Sequence, residues 1–260
     1  MTKLLVVGGG KMGEALLGGL LAGRWAAPEE VAVVEPVAAR RAELAERYPG
    51  VRLTSGTVSA DGAVLAVKPS MIPDLCAELG ELGIRRLLSI AAGVRLATME
   101  AVVPPGTAVV RAMPNTPALV GMGASAIAGG AAATDDDLDW AETILGAVGT
   151  VTRVSEAQIN MVTGLSGSGP AYVFLIAEAL IDAGVLVGLP REVASDLTVQ
   201  TLRGSAELLA AGTPPAEARA NVTSPGGTTA AGLRALEDGK VRASIIDAVV
   251  AAKARADEMG

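Results

Sequence analysis

Six residues near the N-terminus, Gly8-Gly9-Gly10-Lys11-Met12-Gly13, place three spaced glycines between an apolar run and a helical pattern. This G-x-G-x-x-G spacing, directly after the predicted strand Lys3–Val7, is typical of a loop that binds the pyrophosphate of a dinucleotide. Gly8 permits a tight turn, Gly10 lets the backbone approach the pyrophosphate, and Gly13 lets helix and strand pack closely. The helix N-terminus favours the anionic charge. The predicted cofactor contacts of this loop are Gly8, Gly10, Lys11, Met12 and Gly13.

The end of the next apolar run bears on the choice between NADH and NADPH. Glu35 follows Gly13 by 22 residues, a position where an acidic side chain accepts hydrogen bonds from the adenosine ribose. A carboxylate there repels the 2′-phosphate of NADPH and favours NADH. Arg40 and Arg41 follow in the next helical turn. They either bind that phosphate or are solvated arginines on the helix surface. The sequence therefore leaves NADH and NADPH open.

Further along, small and polar residues follow three other predicted strands. Ligands of open α/β sheets bind at the carboxyl ends of the strands. Ala66-Val67-Lys68-Pro69 ends one strand, where Lys68 is either a cation near the nicotinamide or a solvated lysine. Ala91-Ala92-Gly93 ends the next and lets a flat ring approach the backbone. We predict that Ala66, Val67, Lys68, Pro69, Ala91, Ala92, Gly93, Met113 and Asn115 lie around the cofactor.

Three segments carry unusual clusters of Gly, Pro and hydroxyl residues: 111–117, 164–170 and 221–229. In the last, Ser224 is placed to cap a helix predicted at about Ala230–Glu237. Gly226 and Gly227 leave backbone N–H groups uncovered, and Thr228 and Thr229 add hydroxyls. Uncovered amides at a helix start bind anions, so a substrate carboxylate fits there. Ordinary helix capping is the alternative for a single segment of this kind, and three in one chain favour a ligand site.

The rest of the composition restricts the chemistry. The chain has no histidine, a single cysteine (Cys76) and a formal net charge of -7. These features exclude a histidine base, a histidine-bound metal and an intramolecular disulfide, and we predict no metal site. Nucleic acids and anionic membranes are bound through clustered basic residues, which the chain lacks, so neither is an expected partner. Cys76 is predicted to be a small apolar residue on a helix.

Periodicity predicts a Rossmann-type α/β domain followed by an all-helical domain. Up to Val154, short apolar runs alternate with helical patterns, which indicates a mainly parallel sheet covered by helices. After Ser155 only helical periodicity remains, with helices at about 172–187, 190–211 and 241–258. We therefore expect a dinucleotide-binding domain at residues 1–154 and a helical substrate and dimerisation domain at 155–260. The Ala-, Leu- and Val-rich helices favour packing against a second copy.

Targeting and membrane segments are not expected. Lys11 interrupts the first apolar run before it reaches the length of a signal sequence. The uncharged stretches 113–134 and 157–177 are broken by Gly and Pro and rely on Ala, which argues against membrane spans. A cytoplasmic protein is therefore the expectation.

Together, Gly8–Gly13, Met113–Pro117, Ser166–Pro170 and Val222–Glu237 resemble the pyrroline-5-carboxylate reductases, the last enzymes of proline biosynthesis. The resemblance covers nearly the whole chain, and its most specific part is the Ser-Pro-Gly-Gly-x-Thr core. It implies reduction of L-1-pyrroline-5-carboxylate, a cyclic imino acid, to L-proline with NADPH or NADH. It also implies a helical domain that interleaves with a partner subunit, giving homodimers that often assemble into homodecamers.

The resemblance also implies roles for individual residues. Thr229 would hydrogen-bond the imine nitrogen, while Ser224 and the Gly227–Thr229 amides would hold the carboxylate. The loops at 66–69 and 91–93 would face the nicotinamide. The active site would combine the Rossmann domain of one subunit with the helical domain of its partner. Glu35 departs from the family, many of whose members have Asn and Arg near there for the NADP phosphate.

Imine reduction suits a chain without histidine. A cyclic imine takes a proton from water, and hydride transfer then needs mainly positioning. A β-hydroxyacid dehydrogenase, the main alternative along with other imine reductases, needs a lysine acid/base, but Val173 stands where that lysine is expected. The helical domain otherwise contains only Lys240 and Lys253. A non-catalytic dinucleotide-binding regulatory module is the second alternative, and it has no use for Ser224–Thr229.

Overall fold

The computed structural model describes residues 2–259, which form two compact units. The first runs to Ser168 and includes the C-terminal stretch from Ala251, and the second comprises Gly169–Val250. The predicted functional division into residues 1–154 and 155–260 stays a prediction.

One eight-stranded sheet forms the centre of the first unit, in the order β3-β2-β1-β4-β5-β6-β7-β8. Neighbouring strands are parallel except for β6 and β7, which are antiparallel. The mainly parallel α/β sheet predicted from the sequence is therefore confirmed. The strands are β1 Leu4–Val7, β2 Val31–Val34, β3 Arg52–Thr54, β4 Gly62–Leu65, β5 Arg86–Ser89, β6 Ala108–Met113, β7 Gly123–Gly129 and β8 Gly149–Arg153.

Both faces of this sheet are covered. In β1, Leu4 and Val6 face one apolar core while Leu5 and Val7 face the other, and all four are at most 3% exposed. Burial on both faces explains why the sequences of the central strands are continuous apolar runs rather than an alternation of apolar and polar residues. The helices of this unit are α1 Lys11–Ala22, α2 Ala38–Arg47, α3 Ile72–Glu81, α4 Leu96–Glu100, α5 Asp135–Gly146 and α6 Glu156–Val162.

Several short elements were not predicted. Strand β3 and helix α4 have only three and five residues, too few for a periodic pattern. Helix α6 begins with a capping box, in which Gln158 Oε1 accepts hydrogen bonds from the Ser155 backbone N–H and hydroxyl. The Ser-x-x-Gln pattern is typical of a helix N-terminus, so the start of α6 could have been predicted from the sequence. Helix α6 continues into a π-helical turn, Thr163–Gly167.

The second unit is helical, as predicted, and its apolar side chains are strongly exposed. Its helices are α7 Gly169–Leu186, α8 Arg191–Ala210, α9 Pro215–Asn221 and α10 Thr228–Asp238, followed by the first half of α11 Val241–Met259. Helix α7 buries no residue, and Phe174 and Leu175 are 60% and 66% exposed. By length and composition alone, the helical stretch Glu156–Leu186 suffices to cross a membrane, although Gly and Pro were expected to interrupt this region.

Candidate active site

The carboxyl ends of five neighbouring strands lie side by side at one edge of the sheet. Strand order places the residues after β2, β1, β4, β5 and β6 in that sequence along the edge. Glu35 therefore lies on one side of the Gly8–Gly10 turn, and Ala66, Ala92 and Met113 follow on the other side. This order suits a dinucleotide laid across the edge, with the adenosine at Glu35, the pyrophosphate at Gly8–Gly10 and the nicotinamide beyond them.

The glycine loop between β1 and α1 is shaped for close approach of a ligand. Gly8 has a φ of +108°, and a side chain there would collide with the carbonyl oxygen of Ala66. A side chain on Gly13 would collide with the carbonyl oxygen of Gly8. Gly10 is different, because it is exposed and a methyl group on it would meet no protein atom within 4 Å. The open space at Gly10, directly before α1, fits a pyrophosphate.

Glu35 is oriented by the same loop. Its Oε2 accepts a hydrogen bond from the Gly9 N–H (3.2 Å) and its Oε1 accepts one from the Val37 N–H (2.9 Å). Glu35 is also largely buried, with 9% of its surface exposed. It stands at the end of β2, where an adenosine ribose is bound in dinucleotide folds.

The two arginines of α2 have different surroundings. Arg40 donates to the Gly9 carbonyl and forms ion pairs with Glu14 and Glu43. Although burial raises the pKa of Glu14, hydrogen bonds from Arg40 and Arg47 hold that pKa below its usual value. Arg41 instead donates to the carbonyl oxygens of Glu35 (2.7 Å) and Pro36 (2.8 Å). Its guanidinium therefore lies at the ribose end of the loop without a carboxylate partner among its hydrogen bonds.

A cavity of about 310 Å³ opens beside the glycine loop. Asn115 lies in its wall, and its side chain is tied on both sides: Nδ2 donates to the Ser166 carbonyl (3.0 Å) and Oδ1 accepts from the Ala124 N–H (2.8 Å). The small, mostly apolar lining fits the flat nicotinamide ring. The cavity is lined by Met12, Ala66, Val67, Ile90, Ala92, Met113, Pro114, Asn115, Thr116 and Gly167.

Not every predicted cofactor residue lies in this cavity. Lys68 is exposed and starts a 3₁₀ turn with Pro69, and neither lines the cavity. Ala91 is buried and does not line the cavity, and Gly93 has a φ of +77° and lies against Met259. Ile90, Pro114, Thr116 and Gly167 line the cavity but were not among the predicted contacts. For Gly167 the available signal was the glycine-rich run at 164–169.

The predicted substrate segment occupies the start of α10 in the second unit. The helix begins at Thr228 rather than Ala230, so Gly227 and not Ser224 is the N-cap, and no side chain caps it. A turn precedes the helix, in which the Gly227 N–H donates to the Ser224 carbonyl (3.0 Å) and Gly226 has a φ of +70°. A side chain on Gly227 would collide with the Ser224 hydroxyl. The Ser224 hydroxyl and the first-turn N–H groups at Thr228 and Thr229 therefore lie at one helix end, which suits an anion.

Other reactive groups are scarce in the part of the chain that the structure describes. Cys76 lies on a helix, α3, as predicted, and it is fully buried there. Burial raises the pKa of its thiol to about 12, so it is not a nucleophile. Between residues 2 and 259, no three His, Cys, Asp or Glu side chains are placed to share a metal ion. The chemistry therefore depends on hydroxyls, backbone amides and a bound cofactor.

Comparison with known proteins identifies the family. Residues 156–259 match the model of the pyrroline-5-carboxylate reductase dimerisation domain, and residues 3–93 match that of the coenzyme F420-dependent NADP oxidoreductases. A pyrroline-5-carboxylate reductase from Synechocystis is 46% identical, over 99% of this chain and 98% of the relative. The chain belongs to the pyrroline-5-carboxylate reductase family.

Solved structures of pyrroline-5-carboxylate reductases have the same fold over the whole chain. The enzyme from Coxiella burnetii superposes with a TM-score of 0.93 at 38% identity, covering 100% of this chain and 98% of its own. The enzyme from Plasmodium falciparum, solved with NADP bound, superposes with a TM-score of 0.87 at 31% identity and the same coverage. The Rossmann-type and helical parts predicted for this chain are thus those of pyrroline-5-carboxylate reductases.

Proposed function

We propose that this chain catalyses the reduction of L-1-pyrroline-5-carboxylate to L-proline, with NADPH or NADH as hydride donor, in the last step of proline biosynthesis. The observation that carries the proposal is the pairing of two features in one chain. One is a dinucleotide edge that ends in the nicotinamide-sized cavity beside Met113. The other is an uncapped helix start, Gly227–Thr229, that suits the carboxylate of a small acid.

The residues of the chain act mainly by positioning. The α10 amides and the Ser224 hydroxyl bind the substrate carboxylate, and the Thr229 hydroxyl orients the imine nitrogen. Water supplies the proton to that nitrogen, so no strong acid is needed from the protein. The bound reduced nicotinamide supplies the hydride. That the two sites meet between the Rossmann part of one subunit and the helical part of its partner stays a prediction.

Ketone reduction is less well supported. A developing alkoxide must receive a proton from a strong donor such as lysine. Val173, in the first turns of α7, stands where a β-hydroxyacid dehydrogenase needs that lysine. Lys253 is paired with Asp257 at 2.6 Å, and Lys240 lies in the turn between α10 and α11. Neither lies at the position along the chain where that lysine is expected.

The decisive test is turnover. Purified protein is mixed with NADPH or NADH and the pyrroline, and oxidation of the cofactor and formation of proline are followed. We expect proline in equal molar amount to the cofactor oxidised. Folded protein that binds the cofactor but forms no proline with either donor would instead support a non-catalytic dinucleotide-binding module.

Cofactor choice should depend on Arg41. Its guanidinium lies at the end of β2 and has no ion-pair partner among residues 2–259, and a 2′-phosphate there would gain a charge-assisted hydrogen bond. We expect Arg41→Ala to raise the KM for NADPH on the order of tenfold, equivalent to about 1.4 kcal/mol, and the KM for NADH by less than about twofold. Steady-state kinetics with both cofactors measures this.

Arg47→Ala is the matched control, because it removes an equal charge from α2 at a residue paired with Glu14. It should leave the ratio of the two KM values unchanged. An equal rise for NADH and NADPH in Arg41→Ala would show that Arg41 supports the loop rather than the phosphate. Use of both cofactors by the unmodified protein is the expected starting point, because two backbone N–H groups already compensate the Glu35 carboxylate.

Self-association is supported by the dimerisation-domain match and by the exposed apolar surface of α7 and α11. Exposed apolar surface of this extent is typical of an interface. Glu178 and Asp182 are acidic residues within the apolar sequence of α7, and burying them in lipid would be costly. We therefore favour a partner subunit, rather than a membrane, as what covers this apolar surface. This agrees with a cytoplasmic protein. Light scattering should give at least twice the monomer mass of 25.9 kDa; a monomer would contradict the proposal. Assembly of dimers into decamers stays a prediction.

A further inference from the structure

The π-helical turn Thr163–Gly167 forms part of the wall of the nicotinamide-sized cavity. A π-turn inside a helix is rare and often lies at a functional site. Here the Ser168 N–H donates to the Thr163 carbonyl (2.8 Å), which closes the wide turn. The turn brings Gly167 to the cavity, next to Met113 and Asn115. On this side of the cavity the wall therefore combines two separate segments, one at the end of β6 and one after α6.

Side chains fix these two segments to each other. The Asn115 amide bridges the Ser166 carbonyl and the Ala124 N–H, so it joins the π-turn to the residues after β6 and to β7. Two residues before Met113, the buried Arg111 donates to Asn160 Oδ1 (3.1 Å) and pairs with Glu156 (3.4 Å), both in α6. Asn115 thus holds the π-turn directly, and Arg111 holds α6, which leads into the π-turn, against β6. With both contacts in place, the π-turn has little freedom to move away from Met113.

At the point of contact, Gly167 leaves no room for a side chain. A methyl group on Gly167 would lie 2.6 Å from Cε of Met113, far inside van der Waals contact. The π-turn is fixed, whereas the Met113 side chain has three rotatable bonds. Any added atom on Gly167 would therefore displace the Met113 side chain, and the free volume next to it is the cavity.

We propose that Gly167 is a positioning residue for the cofactor: by having no side chain, it keeps the end of Met113 out of the space that the nicotinamide ring occupies. This inference rests on the proposed function, since it takes the cavity beside Met12 and Ala92 as the nicotinamide site. It concerns the nicotinamide end alone, because the adenosine and pyrophosphate positions at Glu35 and Gly10 do not involve Gly167.

The test compares two ligands that share the adenosine half. The Kd values of Gly167→Ala are measured by calorimetry. The Kd for NADPH should rise on the order of tenfold. The Kd for 2′-phospho-ADP-ribose, which lacks the nicotinamide, should change by less than about twofold. Adding Met113→Ala to Gly167→Ala removes the displaced side chain. The NADPH Kd should then return to within about threefold of the Met113→Ala value.

Gly146→Ala is the control for a glycine-to-alanine change, since a methyl group there meets no protein atom within 4 Å. It should leave both Kd values unchanged. Unaltered NADPH binding in Gly167→Ala, equal loss of both ligands, or no recovery with Met113→Ala would each overturn the inference. Failure of the proposed function gives a different result, namely NADPH binding to the unmodified protein without formation of proline.

Discussion

Thr229→Ala is expected to lower kcat for pyrroline reduction at least on the order of tenfold, while the Kd for NADPH stays within about twofold. Thr229 lies in the first turn of α10, where we propose that its hydroxyl orients the imine nitrogen while the neighbouring amides hold the substrate carboxylate. Losing that hydroxyl leaves the imine less well aligned for hydride transfer, and misalignment costs rate steeply. Steady-state kinetics together with a separate measurement of cofactor binding would separate the two effects.

Two further variants give this prediction its controls. Thr229→Ser keeps the hydroxyl and should retain most of the activity. Thr223→Ala removes a hydroxyl that donates to the Arg219 carbonyl (2.6 Å), and it should leave kcat within about twofold. Full activity in Thr229→Ala would show that the hydroxyl has no role in orienting the imine. Equal losses in Thr223→Ala and Thr229→Ala would indicate damage to the segment as a whole.

Gly10→Val is expected to raise the Kd for NADPH and NADH by on the order of a hundredfold or more, and with it to abolish turnover at ordinary cofactor concentrations. A Cβ on Gly10 would meet no protein atom within 4 Å, and the backbone φ and ψ of -69° and -177° are extended and open to any residue. The added atoms would instead occupy the space in which the pyrophosphate approaches the backbone. Thermal unfolding should therefore be nearly unchanged.

Gly13→Ala provides the contrast within the same loop. Its methyl group would collide with the Gly8 carbonyl oxygen inside the protein, so Tm should fall measurably, because such backbone overlap forces α1 away from β1. The two variants thus separate a glycine kept for the ligand from one kept for packing. If Gly10→Val bound cofactor normally, the dinucleotide would have to lie elsewhere.

Much of the cofactor edge was predictable from sequence because its signals are local. Gly8–Gly13 follows a buried strand and starts a helix, and that context predicts both the fold and the pyrophosphate contact. The continuous apolar strands likewise predict a parallel sheet. The Ser224–Thr229 segment predicted an open helix start, although the N-cap proved to be Gly227 because α10 begins at Thr228.

Other features depend on tertiary packing and could not be predicted from spacing. The π-turn at Thr163–Gly167 has no residue pattern that separates it from an α-helix, and its contact with Met113 joins residues more than 50 positions apart. The orientation of Glu35 depends on the Gly9 and Val37 amides. The difference between Arg40 and Arg41 likewise appears only when Glu14 is placed beside α2.

The most direct test of the central claim follows the hydride itself. The protein is supplied with NADPH deuterated at the transferred position and with unlabelled L-1-pyrroline-5-carboxylate, and the product is analysed by mass spectrometry. We predict L-proline that carries one deuterium on the ring carbon next to nitrogen and remote from the carboxylate. The claim that this chain reduces the pyrroline would be contradicted if the cofactor were oxidised without formation of labelled proline. It would also be contradicted if folded protein that binds NADPH formed no proline.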